Sequence, residues 1–320
     1  MCVIFILNYI MEFITLIGGL VLIIFGATLL TDGSVALAAR FRVPEFIVGL
    51  TVVAVGTSMP ELAVSFVSAL KGSADMSIGN VVGSNICNIF AILGISAICS
   101  PIMYTESNIR RDIPICIAAS LALLAVTLFD EQIGRIEGLL LFIGYVSMLF
   151  FTIRADRKSI AQESASEETA AVMSPLRIIF YIAIGLVGLI YGGQLCVDGA
   201  TEIARSFGVS EATIAITLVA GGTSLPELAA SLAALFKGKA SMALGNVLGS
   251  NIANILLILG VCSMTTPLTM GNVEMSDVYM AVAASVAVLL TAFVLGRNKL
   301  TRIEGVIFLG CYVAYVYTLL

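Results

Sequence analysis

The chain has 320 residues, 59% of them hydrophobic and only 12% charged, with a formal net charge of −5. Soluble domains carry about 25% charged residues, so this composition excludes a soluble enzyme or binding domain and points to an integral membrane protein with little mass outside the bilayer. There is no histidine, and the seven cysteines are scattered without metal-ligand spacing, which removes Ser/His and Cys/His nucleophiles, the commonest proton shuttle and a thiolate metal site.

No Lys or Arg precedes Arg40, so the amino terminus does not read as a cleavable signal peptide, which needs a basic leading region. The stretch MEFITLIGGLVLIIFGATLL from Met11 is a complete first span by itself, and Met1 and Met11 are both candidate starts. A membrane helix needs about 20 apolar residues. By that measure ten spans are expected, at 13–31, 45–70, 77–100, 112–130, 136–153, 177–197, 211–236, 243–264, 277–296 and 302–320. The sole substantial hydrophilic stretch, 154–175, is charged and Ser/Ala-rich and reads as a linker. The expected division is a first five-helix repeat at 1–153, a linker at 154–175 and a second repeat at 176–320.

The halves are copies. Residues 51–102 match 217–268 at a constant offset of 166, with 28 identities in 52 positions. The kept residues are Gly, Thr, Ser, Pro, Glu and Asn, types that break helices, bind ions or pack backbones, whereas lipid contact needs only bulk. Asp32-Gly33 repeats as Asp198-Gly199, AAS at 118–120 as AAS at 283–285, and RIEG at 135–138 as RIEG at 302–305. Five spans per half is an odd number, so the second half enters the membrane from the opposite side. The expected fold is therefore an all-α integral membrane protein of ten transmembrane helices, arranged as two inverted five-helix repeats. The loops after spans 1, 3, 5, 7 and 9 hold 13 of the 16 basic residues, and only Lys71, Arg135 and Arg205 lie opposite. By the positive-inside rule the linker faces the cytoplasm and both termini face outside. Asp32 and Asp198 read as interfacial, near helix ends, with gating as the other reading.

GTSMPE and GTSLPE fall inside spans 2 and 7. A proline within a helix removes one hydrogen bond and clashes with the carbonyl four residues back, so both helices should break and free carbonyls near Ala54, Gly56 and Thr57 and near Ala220, Gly222 and Thr223. Glu61 follows the first break with Ser58 and Ser65 on its face, and Glu227 follows the second with Ser224 and Ser231. Spans 3 and 8 add Asn80, Ser84 and Asn88, and Asn246, Ser250 and Asn254, at four-residue intervals. Gly79, Gly83, Gly94, Gly245, Gly249 and Gly260 would let neighbouring backbones approach. Ser, Thr and Asn in membrane helices as readily bond helix to helix. A carboxylate at mid-membrane costs about 2.5–3.5 kcal/mol or more, and spans 2, 3, 7 and 8 hold no basic partner in their cores. Glu61 and Glu227 thus read as functional. An all-oxygen set of this kind suits hard cations such as Ca²⁺ and Na⁺.

These segments, GTSMPE with GNVVGSNICN and GTSLPE with GNVLGSNIAN, resemble the α-repeats of the cation/calcium exchanger superfamily, and the chain is most similar to its prokaryotic sodium/calcium exchangers. The resemblance implies that Glu61 and Glu227 are the central Ca²⁺ ligands. It implies that Thr57 and Thr223, with the carbonyls around Ala54 and Ala220, complete the calcium and sodium sites. Ser58, Ser84, Asn88, Ser224, Ser250 and Asn254 would line the rest. It further implies exchange of Ca²⁺ for Na⁺ by alternating access in the cell membrane, with Ca²⁺ and Na⁺ as transported substrates, no resident cofactor, no nucleic acid and no obligatory protein partner. Many prokaryotic members carry Asp where this chain has Asn254, so the core holds two carboxylates and the case for potassium dependence is weaker. H⁺/Ca²⁺ antiport is the alternative within the superfamily. A passive cation channel is the alternative of another class, and the inverted repeat inside one chain argues against it. An intramembrane hydrolase is disfavoured by the missing histidine.

Overall fold

A computed structural model describes residues 2–130, 132–163, 173–207, 220–271, 273–293 and 298–319. Among them eight helices are long and apolar enough to cross a membrane: α1 (Met11–Phe41 of a helix that starts at Cys2), α4 (Ala74–Cys99), α5 (Asn108–Leu128), α6 (Arg135–Glu163), α7 (Pro175–Ser206), α9 (Ala240–Thr265), α10 (Met275–Phe293) and α11 (Arg302–Leu319). A bent pair, α2 (Glu45–Thr57) and α3 (Met59–Leu70), occupies the place of span 2. The shorter α8 (Leu225–Phe236) holds the second half of span 7, whose first half, 211–219, lies outside the described residues. Nine of the ten expected spans thus have a helix or bent pair in their place, and span 7 has one over its described half.

Several helices outrun their apolar stretches. α6 continues to Glu163 through the charged start of the 154–175 stretch, of which 164–172 are not described. Hydropathy marks where lipid contact ends. Helix continuation depends on backbone propensity, and RADRKSIAQE contains no Gly or Pro to stop it. Asp32 and Asp198 likewise lie inside α1 and α7 rather than near helix ends, because the single glycine after each, Gly33 and Gly199, lowers helix propensity without stopping the helix.

The repeats are visible in how elements meet. Two short antiparallel strand pairs tie loops of opposite halves together: β1 (Ile102–Met103) pairs with β4 (Lys299–Leu300), and β2 (Gln132–Ile133) with β3 (Leu268–Thr269). The first pair joins the loop after span 3 to the loop after span 9, and the second joins the loops after spans 4 and 8. Odd loops meet odd and even meet even, as opposed repeats require. Ser120 of α5 and Ser285 of α10, from the repeated AAS segments, share a hydrogen bond of 2.9 Å. α4 and α9 run through the middle and are mostly buried, with the other helices around them.

α1 and α7 lie against each other along much of their length. Their backbones touch: a Cβ on Gly26 would sit 2.7 Å from the Gly185 carbonyl oxygen, and one on Gly185 would sit 2.6 Å from the Leu30 nitrogen. Small residues permit this approach where lipid supplies no hydrophobic drive between helices. Gly94 and Gly260 act similarly, each against a glycine carbonyl (Gly305 and Gly138), and Gly245 and Gly249 meet the carbonyls of Phe46 and Leu50.

One relation is not symmetric. Lys237, at the end of α8, pairs with Asp32 of α1 at 2.5 Å and also donates to the Thr28 carbonyl at 3.1 Å. The counterparts at offset 166 are Lys71 and Asp198. Both are exposed, and Asp198 accepts instead from Gln194, a turn away on its own helix, at 3.0 Å. α1 packs along α8, whereas α7 makes only marginal contact with α3.

Candidate cation site

The site forms where span 2 breaks. α2 stops at Thr57, Ser58 takes φ −81° and ψ 9°, and α3 leaves at 45° to α2. Pro60 falls in the first turn of α3, where no N–H is needed, and Glu61 follows it in that turn. Span 7 repeats the pattern where it is described: helical Ala220–Gly222, then Ser224 at φ −89° and ψ 4°, then α8 with Pro226 and Glu227 in its first turn. The motif reads as expected in each half.

The carbonyls at the first break are a correction. Those of Ala54 and Gly56 are not free, because the tight turn at Ser58 lets the following N–H groups fold back on them. Ala54 O accepts from the Ser58 N–H at 3.0 Å, the Thr57 hydroxyl at 3.3 Å and the Ser250 hydroxyl at 3.5 Å. It becomes available to an ion only when those hydroxyls turn away.

Glu61 and Glu227 are 1% and 0% exposed, and among the described residues no Lys or Arg forms an ion pair with either. Their bonds cross between halves. The Ser58 hydroxyl donates to Glu227 Oε1 at 2.9 Å, and the Ser224 hydroxyl to Glu61 Oε1 at 3.5 Å. Ser58 therefore serves the opposite glutamate rather than the one on its own helix, because the break turns it off the face of Glu61. Ser65 and Ser231 are engaged within their own halves. Their hydroxyls accept from Asn80 Nδ2 at 3.0 Å and Asn246 Nδ2 at 2.9 Å. Asn80 and Asn246 also donate to the backbone oxygens of Glu61 and Glu227, each at 3.2 Å. Those four residues staple α4 to α3 and α9 to α8. Thr57 is buried and reaches Asn246 Oδ1 at 3.3 Å, and Thr223 is half-buried beside Ser224.

Spans 3 and 8 carry a feature that composition does not announce. Cys87–Leu93 and Ala253–Leu259 are π-helical, at the same place in both repeats. A π turn adds a residue to the loop of each hydrogen bond and re-aims side chains, often at functional sites. Asn88 and Asn254 are the second residues of these turns. Asn85 and Asn251, absent from the expected polar stripe, pair there across the halves. Their only sequence signal was retention in both copies of GSNI.

What remains is a set of unpartnered oxygens. Oε2 of Glu61 and of Glu227, Oδ1 of Asn88 and of Asn254, and the Ser84 hydroxyl are buried with no hydrogen-bond partner. Leaving one buried acceptor unpaired costs about 1–3 kcal/mol, and more when it is charged. The glutamate and asparagine oxygens come in matched pairs from the two halves, whereas Ser84 stands alone because its counterpart Ser250 donates to Ala54 O. Two carboxylates and neutral oxygens without a basic residue among them are the donor chemistry that a hard cation takes, six to eight oxygens in the calcium case.

Comparison with known proteins bears on this arrangement. The profile of the family described as sodium/calcium exchanger protein matches residues 11–154 and again 177–320. The chain is 37% identical to a putative antiporter, CaxA, of Alkalimonas amylolytica, over 94% of this chain and 96% of that one. It is 30% identical to the sodium/calcium exchanger MaX1 of Methanosarcina acetivorans, over 96% and 98%. A solved structure of the sodium-calcium exchanger NCX_Mj, soaked with Na⁺ and Ca²⁺, superposes with a TM-score of 0.83 at 34% identity, covering 97% of this chain and 99% of that one.

Proposed function

The chain belongs to the sodium/calcium exchanger family, and on that premise we propose that it is a secondary active transporter exchanging Ca²⁺ for Na⁺ across the cell membrane. The observation that carries the site is the set of unpartnered buried oxygens on Glu61, Glu227, Asn88, Asn254 and Ser84. Thr57, Thr223, Ser58, Ser224, Ser250 and the carbonyls of Ala54 and Ala220 complete the ligand set in this reading.

The two carboxylates give the mechanism. With both carboxylates ionised the site carries a charge of about −2, which one Ca²⁺ or two Na⁺ neutralises, and unit charges at a few ångströms interact by several kcal/mol in incompletely solvated surroundings. A further Na⁺ would have only neutral oxygens. Because Ca²⁺ and Na⁺ need the same carboxylates, occupancy by one excludes the other. If the protein changes its open side only when the site is neutralised, exchange is coupled. In this reading the half-helix α2, which ends at Thr57, turns its negative dipole end toward the ion, as broken membrane helices do for cations. The 13-to-3 division of basic residues supports a cytoplasmic 154–175 segment and outward termini, and the inward Na⁺ gradient of a cell would then drive Ca²⁺ efflux.

The test is ⁴⁵Ca²⁺ uptake into proteoliposomes of purified protein. Vesicles loaded with Na⁺ and diluted into Na⁺-free medium should accumulate ⁴⁵Ca²⁺, and an imposed pH gradient without Na⁺ should not replace the Na⁺ gradient. Uptake that follows pH and ignores Na⁺ would refute the sodium reading and establish proton antiport.

A further inference from the structure

Asn85 and Asn251 follow Ser84 and Ser250 in the two halves, and each is 1% exposed. Asn85 Nδ2 donates to the backbone carbonyl of Asn251 at 3.2 Å, and Asn251 Nδ2 to that of Asn85 at 3.1 Å. A carbonyl can only accept, so these bonds fix which way each amide is turned. With its nitrogen committed, Asn85 presents Oδ1 to Asn254 Nδ2 at 3.0 Å, and Asn251 presents Oδ1 to Asn88 Nδ2 at 3.0 Å. The Asn88 and Asn254 amides are then held by their nitrogens, and their oxygens are the ones left without a partner. Orientation therefore passes from a backbone carbonyl, through one amide, to a second amide whose oxygen is free.

The last torsion of an asparagine is broad and roughly two-fold. Without a restraint, Asn88 and Asn254 in the cation-free site would turn N–H donors inward about as readily as oxygen, and a cation would have to reorient them on binding. We propose that Asn85 and Asn251 are positioning residues of the cation site, and that they act crosswise: Asn85 holds Asn254 oxygen-inward, and Asn251 holds Asn88. Each half thereby sets a ligand of the other. The clasp also requires an amide at 254, since a carboxylate there would place oxygen against Asn85 Oδ1. This proposal rests on the cation-binding reading above and assigns residues outside the ligand set.

The crossed arrangement makes a test that packing alone does not satisfy. Asn85 is three residues from Asn88 on one helix, yet its bond runs to Asn254 on another. The experiment measures Ca²⁺ binding to purified protein by calorimetry in Na⁺-free buffer and Na⁺-driven ⁴⁵Ca²⁺ exchange in proteoliposomes. The variants are Asn85→Ala, alone and combined with Asn254→Ala or with Asn88→Ala. Asn85→Ala is expected to weaken Ca²⁺ binding about tenfold, the effect of one buried orienting hydrogen bond, and to leave maximal exchange at saturating Ca²⁺ within about twofold of wild type, because the ligand is misdirected rather than removed. In the Asn254→Ala background that loss should disappear, and in the Asn88→Ala background it should persist in full, as coupled and independent sites respectively behave. Asn251→Ala should show the mirror pattern, coupled to Asn88, and serves as the second test if Asn85→Ala fails to fold. Equal losses in both backgrounds, coupling to the neighbour on the same helix, or no loss at all would overturn the clasp. Wild-type protein that binds Ca²⁺ without Na⁺-driven exchange overturns the sodium reading and leaves the clasp measurable by binding. Wild type that binds no Ca²⁺ overturns both.

Discussion

Replacing Glu227 by Gln should move two measurable quantities in opposite directions. In the wild type Oε1 of Glu227 accepts the Ser58 hydroxyl at 2.9 Å and Oε2 has no partner. A glutamine of the same size keeps the Ser58 bond through its oxygen, which leaves its NH₂ group where Oε2 was. The site loses a unit of negative charge and gains N–H donors aimed at the ion. At a calcium–oxygen distance of about 2.4 Å and an effective dielectric of about 20, the gross attraction between Ca²⁺ and one carboxylate is about 14 kcal/mol. Most of it offsets the stripping of water from the ion. Removing one partner of a buried charge pair costs about 2–5 kcal/mol net, which weakens binding about 30-fold to several thousand-fold. Na⁺-driven ⁴⁵Ca²⁺ flux at wild-type half-saturation should therefore fall by at least an order of magnitude. Cation-free protein should gain stability, because one of two buried carboxylates without a basic neighbour is gone. Thermal unfolding in chelator and Na⁺-free detergent buffer should show a higher midpoint for Glu227→Gln than for wild type, and Glu61→Gln should behave alike. Wild-type flux together with a lowered midpoint would refute the reasoning, because it would make Glu227 a structural residue.

Asn254→Asp adds a third carboxylate while removing the donor to Asn85. It should steepen the Na⁺ dependence of exchange or introduce a response to K⁺, and unchanged cation dependence would mean that Asn254 only packs helices. A Ser166→Cys variant in a cysteine-free background should resist a membrane-impermeant thiol reagent in intact cells, and external labelling would overturn the orientation drawn from basic residues. Gly185→Ala places a Cβ 2.6 Å from the Leu30 nitrogen, so α1 and α7 must part, at about 1–3 kcal/mol of overpacking; a lowered unfolding midpoint checks it. Lys237→Ala and Lys71→Ala should shift the balance between the two open sides in opposite directions, by up to about fivefold for an exposed ion pair, read as opposite changes in half-saturating Ca²⁺ between right-side-out and inverted vesicles.

The parts written in residue type were legible in the sequence. Apolar runs located the helices, and the duplicated GTSMPE and GTSLPE located both breaks, because proline acts locally. The matched glutamates stood out because a charge in lipid needs a reason. What could not be read was set by contacts between halves. Ser58 serves Glu227 rather than Glu61 because of the angle at the break. The π turns at Asn88 and Asn254 follow from how α4 and α9 pack, and no residue pattern marks them. Asn80 and Asn246 share the stripe of the ligand residues yet spend their amides on neighbouring helices, and a four-residue period does not separate those roles. Asn85 lies off that stripe, so the period does not mark it at all.

The unequal ion pairs bear on how freely the protein moves. Asp32 and Lys237 are in contact, while their repeats, Asp198 and Lys71, are not. Suppose each half adopted the shape the other now has. Lys71 would meet Asp198, Lys237 would let go of Asp32, and the chain would hold a contact of the same kind at the opposite end. The two arrangements would then differ in energy only through the positions where the copies have diverged. The tie itself is slight. A partly exposed pair is worth about 0–1 kcal/mol, comparable to thermal energy, and weakens further with salt. Neither end is bolted, so the direction in which the molecule opens is left to its cargo and to the ion gradients on either side.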